Sequence, residues 1–206
     1  MVVDGEHLRL AAQECAGALA GHVDADWTAK VPGLNLTVAQ TIAHAAEACL
    51  WFAIDLAAAG PDLGTVECRV KPDRPPPALV AILVAQAGML AAVVDDAPPE
   101  RRGFHPMGPT DASGYVAMVC DELLIHTDDV VSCLGSSFSP DQTLARAVLA
   151  RLFPWIEPGD DPWRRLRWAN GRTALGQEPR LDRWAWFSRP LDEWDRSIPE
   201  PVDGLS

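Results

Sequence analysis

The sequence predicts a mainly α fold: a four-helix bundle with a short additional helix and a small C-terminal β-hairpin appendage. Three observations carry this expectation. Alanine- and leucine-rich stretches with helical periodicity recur from the N-terminus to about residue 152. They are separated by segments that cannot continue a helix, of which "CRVKPDRPPP" is the clearest. From Pro154 onward the composition changes to Trp, Arg and Pro. The division expected is therefore 1–153 as the helical bundle and 154–206 as an appendage packed on it.

The elements follow in order. "GEHLRLAAQECAGALAGHV", about 5–23, forms the first helix, and "VPGLN" turns the chain. The second helix starts within "LTVAQTIAHAAEACLWFAIDLAAAG". Thr37 and Gln40 have the spacing of a capping box there, and Gly60-Pro61 ends the helix. The third covers about 77–96, "PALVAILVAQAGMLAAVVDD". The loop "APPERRGFHPMGPTD" leads to the fourth, about 112–134, closed by Gly135. A fifth, about 140–152, starts after Ser139 as its cap. In the tail, "RLRWANGRTAL" and "RLDRWAWF" read as two short strands around a turn containing Gly176 and Pro179. The tail tryptophans offer either an interface or a cover for the first and fourth helices.

Charge and cysteine content narrow the function. A net charge of −12 and a pI of about 4.7 disfavour a phosphate-binding face and an anionic membrane surface. The five cysteines are widely spaced and contain no CxxC pair, which fits reduced thiols in a cytoplasmic protein. "MVVDGEHLRL" has no signal-peptide pattern, and no apolar run is expected to reach the ~20 residues of a membrane span.

The stretch "DELLIHTDD", residues 121–129, carries the chemistry. At about 100° per residue, His126, Tyr115, Met118 and Asp129 all fall within about 40° of Glu122, on the apolar side of the fourth helix. Asp121 and Asp128 are expected to point away, to solvent. A carboxylate inside a bundle costs several kcal/mol unless it is paired or neutralised. Glu122 and His126, one turn apart, can both reach one divalent ion. His44, in the middle of the second helix with Ala48 one turn on, is the best-placed third ligand. The pattern alone equally accommodates a core histidine paired with Glu122. Trp51, His105, Tyr115 and Met118 are the expected pocket residues. Arg164, Arg165, Arg167 and Arg172 either bind polar groups of a ligand or pair with the many acids.

Three segments together carry a family resemblance: "VPGLNLTVAQTIAHAAEACLWFAIDLAA", "HPMGPTDASGYVAMVCDELLIHTDDVVSCLG" and the tail "PWRRLRWANGRTAL…RWAWFSRPLDEWD". The chain resembles the DinB/YfiT-like metalloenzymes, in the mycothiol-dependent maleylpyruvate isomerase branch. The resemblance implies a DinB-like bundle holding a divalent metal on His44, Glu122 and His126, with Asp129 in support. Zinc is the metal implied first, with Ni²⁺ or Fe²⁺ as alternatives, and a mycothiol-type thiol is the implied cosubstrate. The function implied is a metal-dependent thiol S-transferase or isomerase acting on a small electrophile through a metal-activated thiolate. Two alternatives stand beside it: a metal-dependent hydrolase, or a non-catalytic ligand- or partner-binding protein on the same fold. The isomerase itself has a larger C-terminal domain, and this tail matches none of its substrate residues. The partners expected are a small-molecule thiol and an electrophile, with a homodimer, no nucleic acid and no membrane.

Overall fold

A computed structural model describes residues 3–201; residues 1–2 and 202–206, which belong to the N-terminal and appendage readings above, lie outside the described residues. The described residues form six α-helices: α1 Gly5–Ala20, α2 Val38–Ala58, α3 Pro76–Asp96, α4 Ala112–Cys133, α5 Gln142–Leu152 and α6 Pro162–Ala169, with a 3-10 turn at Leu191–Glu193. The long helices form the expected bundle.

Local chemistry sets the helix ends. Asp4 caps α1 in a capping box closed by the His7 side chain. In α2 the predicted box is present: the Gln40 amide donates to Thr37 Oγ1 at 3.2 Å and the Thr37 amide to Gln40 Oε1 at 2.9 Å. That helix stops ahead of Gly60-Pro61, where Ala59 takes the left-handed conformation at φ 51°. Asp111 caps α4 through the Gly114 amide, and Gly135, at φ +81°, turns the chain beyond it. Asp141, rather than Ser139, caps α5. Caps of this kind contribute about 1 kcal/mol each.

The bundle has a diagonal order. α1 and α2 each pack against both α3 and α4, while α3 and α4 meet only weakly. Leu8, Leu19, Ile42, Leu56, Leu83, Leu90, Met118 and Leu123 fill the centre, all fully buried. At ~25 cal/mol per Å² of apolar surface, such side chains contribute roughly 1.5–3 kcal/mol each against the entropy of ordering the chain.

The tail departs from expectation. No hairpin is formed among the described residues; only the isolated bridge Leu175–Glu178 is present. "PWRRLRWA" is helix α6, with Asp161 as its cap and Pro162 in the first turn. Trp163, Leu166 and Ala169 recur every three residues and are buried against the bundle, a helical period that the high Trp and Arg content disguised as strand. α6 packs on α5, and α5 packs on α4. The chain then returns in extended form, with the Phe187 amide donating to Leu152 O at 2.8 Å. Arg151, 1% exposed, ties the layers together. It donates to Asp111 Oδ1 at 2.8 Å and to the Phe187 and Ser188 carbonyls at 3.1 and 3.3 Å. Of the tail tryptophans, Trp163 and Trp186 are buried and Trp155, Trp168, Trp184 and Trp194 are half-buried, so they cover the helices.

All five cysteines are free thiols. By length and composition alone, α2 and α3 are long and apolar enough to cross a membrane, contrary to the expectation that no run would reach that length. Both are packed into the bundle.

Candidate metal centre

The centre is built from the facing sides of α2 and α4. His44 Nε2 lies 3.5 Å from Glu122 Oε2, and His126 Nε2 lies 3.1 Å from the same oxygen. One ligand atom from each of the three residues falls within 4.8 Å of the other two. Glu122 Oε2 is buried and makes no hydrogen bond of good geometry. A buried, unsatisfied carboxylate oxygen between two imidazole nitrogens is costly as it stands. It is the donor set that a divalent ion of the zinc type accepts, so the residues present fit such an ion.

Opposite charges meet in this donor set. Burial would raise the Glu122 carboxyl, but His126 and His44 beside it hold it well below the usual carboxylate range. Burial would depress the His126 imidazole. Its contacts with Asp129 and Glu122 outweigh burial and lift it to about 9.

Asp129 stands directly behind the His126 ring. His126 Nδ1 faces Asp129 Oδ2 at 3.2 Å; with Nδ1–H donating to the carboxylate, an ion that displaces the other ring proton would meet the Nε2 lone pair at the centre. Arg172, from the chain just after α6, fixes Asp129 in turn through Nη2 at 3.0 Å and Nε at 3.3 Å. The tail therefore reaches the centre directly.

A cavity of about 1000 Å³ opens over these residues. Trp51 and His105 line it, as expected, together with Phe52, Trp184 and Trp186. Arg69, Arg172 and Arg180 add positive charge to its wall. Tyr115 and Met118 do not line it. Both are fully buried in the bundle, and the Tyr115 hydroxyl donates to the Phe104 carbonyl. Being on the same face of α4 as Glu122 placed them a turn or two deeper, where the core closes.

The loop carrying His105 is pinned at several points. Gly103 and Thr110 exchange backbone hydrogen bonds at 3.0 and 3.1 Å. Ser188 Oγ donates to the Met107 carbonyl at 2.9 Å. His105 Nδ1 accepts from the Met107 amide at 3.3 Å, which leaves Nε2 to carry the proton. The ring stands between Phe52 and Trp186, and burial pushes it down to about 4, so it is neutral near pH 7.

Asp121 and Asp128 are not on a solvated face. They are 1% and 4% exposed because α6 and the returning chain cover that side of α4. Asp128 pairs with Arg167 at 2.9 Å. Asp121 accepts from Asn170 Nδ2 and Trp186 Nε1, both at 2.9 Å. Burial, reinforced by the neighbouring Glu122 charge, pushes the Asp121 carboxyl up to about 7. Sequence reasoning missed Asn170, Trp186 and the Arg172–Asp129 contact. The available signal was the spacing of Asp121 and Asp128, which forms a second stripe two turns long on α4.

No curated protein and no solved structure matches the chain. The sequence profile of the mycothiol maleylpyruvate isomerase N-terminal domain matches residues 8–131. That segment runs from α1 to the end of α4 and contains His44, Glu122, His126 and Asp129, and it spans more than half of the chain. The chain belongs to the family of the mycothiol maleylpyruvate isomerase N-terminal domain.

Proposed function

We propose that the chain is a metal-dependent enzyme that joins a low-molecular-weight thiol of the mycothiol type to a small electrophile, giving S-transfer or isomerisation. The observation that supports this reading best is the convergence of His44, Glu122 and His126 at the wall of a cavity far larger than an ion needs. His44, Glu122 and His126 would hold the ion, zinc first, with Asp129 and Arg172 orienting His126. An ion held there supplies the charge that keeps a bound thiol as thiolate at neutral pH.

The chain's own residues account for the rest. Trp51, Phe52, Trp184 and Trp186 give apolar walls that exclude water from the reacting carbon. Arg69 and Arg180 offer guanidinium groups to carboxylate or hydroxyl groups of the substrates. His105, neutral and fixed by its loop, presents an N–H donor for an oxygen on the electrophile. Addition of the thiol sulfur to an unsaturated carbon, rotation and expulsion gives isomerisation. Retention of the new C–S bond, with the proton released by the thiol returned to the neighbouring carbon, gives the S-conjugate.

The test is elemental analysis by mass spectrometry of protein purified without a nickel column, wild type beside His126→Ala. Near one zinc per chain, lost in the variant, followed by consumption of thiol with an unsaturated electrophile, is expected. A wild type that takes up no metal when zinc is offered overturns the reading.

A further inference from the structure

The diagonal order of the bundle treats its two opposite helices differently. α5, α6 and the tail lie on the α4 side, through contacts such as Asn170 and Trp186 to Asp121. α3 lies diagonally across from α4, and its outer face stays exposed. From Pro76 to Val94 this helix has no charged residue, and its one polar side chain, Gln86, is buried. A solvated surface helix carries polar groups on its outward side. Here the outward residues include Ala78, Ile82, Ala85, Met89 and Ala92, all exposed, with Met89 at 53%.

The order of these residues identifies what fits them. Their spacing alternates four and three, as along the seam of a coiled coil. Large and small side chains alternate as well. When a second copy of α3 is laid antiparallel about a two-fold axis, one register sets Ile82 against the second copy's Ala92 and Met89 against its Ala85. Each large side chain then rests over an alanine. The same register brings Asp96 of one copy beside Ala78 of the other, next to Arg74 just ahead of the helix. Asp96 and Arg74 are both exposed. The symmetry makes that ion pair twice and sets the helix dipoles head to tail. Parallel pairing would instead stack Ile82 on Ile82 and put Asp96 against Asp96.

We propose that the outer face of α3 is a homodimer interface in which two copies of the chain pack α3 against α3, antiparallel. A bilayer is the other apolar occupant that this helix could meet. Crossing one would pull Leu79, Leu83 and Leu90, all buried, out of the bundle core. No α3 residue lines the cavity over the candidate metal centre, so the interface stands apart from the function proposed above.

Sedimentation velocity on the full chain tests this. The wild type is expected at twice the 22.2 kDa chain mass at micromolar concentration. Ala85→Glu is expected to give a monomer with an unchanged helical circular dichroism spectrum. Arg74→Glu should weaken the dimer several-fold, and Arg74→Glu combined with Asp96→Arg should restore it. A monomeric wild type, or a dimer indifferent to both Ala85→Glu and Met89→Glu, overturns the proposal. Flotation of a monomeric wild type with phosphatidylcholine vesicles, abolished by Ala85→Glu, would assign the face to lipid and overturn it equally.

Discussion

Asp129 holds the outer nitrogen of His126: its Oδ2 stands 3.2 Å from Nδ1. The carboxylate fixes the ring's tautomer and rotation, and Arg172 fixes the carboxylate at 3.0 Å. Replacing a hydrogen-bond partner behind a ligating histidine typically costs about 10–100-fold in metal affinity. Asp129→Ala is expected to lose zinc affinity in that range, and Arg172→Ala to lose less because Asp129 remains. Competition with a chromogenic chelator measures both. Equal zinc affinity in Asp129→Ala and wild type would show that the His126 ring is set by something else.

Asp121 is the anchor for the chain beyond α6. Two buried donors, Asn170 Nδ2 and Trp186 Nε1, end on its two oxygens. Asp121→Ala leaves Trp186 Nε1 without an acceptor, at about 1–3 kcal/mol, while Asn170 Nδ2 keeps the Leu166 carbonyl at 3.0 Å. A loss of roughly 1–3 kcal/mol is expected in urea unfolding, with faster proteolytic cleavage after Asn170. Asp121→Asn keeps one acceptor and avoids a buried charge, so it should cost less. Wild-type proteolysis of Asp121→Ala would mean that the tail is held elsewhere, through Arg151 and Ser188.

Helix boundaries and the facing of His44, Glu122 and His126 were legible because both are local. Thr37 and Gln40 announce the start of α2, and Glu122 and His126 share a face by spacing alone. What failed was whatever depended on a second layer. Asp121 and Asp128 look like solvent-facing acids on a helical wheel because the wheel contains no α6 to cover them. Tyr115 and Met118 lie on the right face of α4 but at the wrong depth, a coordinate that angular position does not carry. Arg172 reaches Asp129 from a distant part of the chain with no pattern linking them. α6 itself was hidden because Trp and Arg suit strand and helix alike, so its Asp-Pro start was the better guide.

Gly103 is where the His105 loop passes closest to the bundle. A Cβ there would lie 2.5 Å from the Asp55 carbonyl oxygen and 2.5 Å from the Tyr115 hydroxyl. One obstacle is backbone and the other is a side chain held by the Phe104 carbonyl, so neither yields cheaply. Gly103→Ala is expected to lose about 1–3 kcal/mol of stability, as for an overpacked core. It should also displace His105 from the cavity wall while leaving zinc content unchanged. Chemical denaturation and elemental analysis of the same preparation separate the two effects.

His105 gives the chain a pH dependence of known sign. Its folded value, about 4, lies below the ordinary 6.5 because burial disfavours the charged ring. The stability linked to it is fully present above pH 6.5. It is lost as pH falls toward 4, because the unfolded chain takes up the proton first. The loss is of order 3 kcal/mol at 1.36 kcal/mol per unit. Asp121 works in the opposite sense: its carboxyl is raised from 3.8 to about 7, so its contribution improves as pH falls through that window. Asp55, raised to about 6 by burial, has the same sense as Asp121, so the wild-type profile alone mixes opposing slopes. His105→Gln removes one titration and keeps the rest. Urea unfolding of both proteins from pH 7.5 to 4.5 should show the wild type losing stability relative to the variant as the pH drops. Parallel profiles would mean that the His105 ring takes up its proton in the fold as readily as in the unfolded chain, so that burial does not hold it neutral.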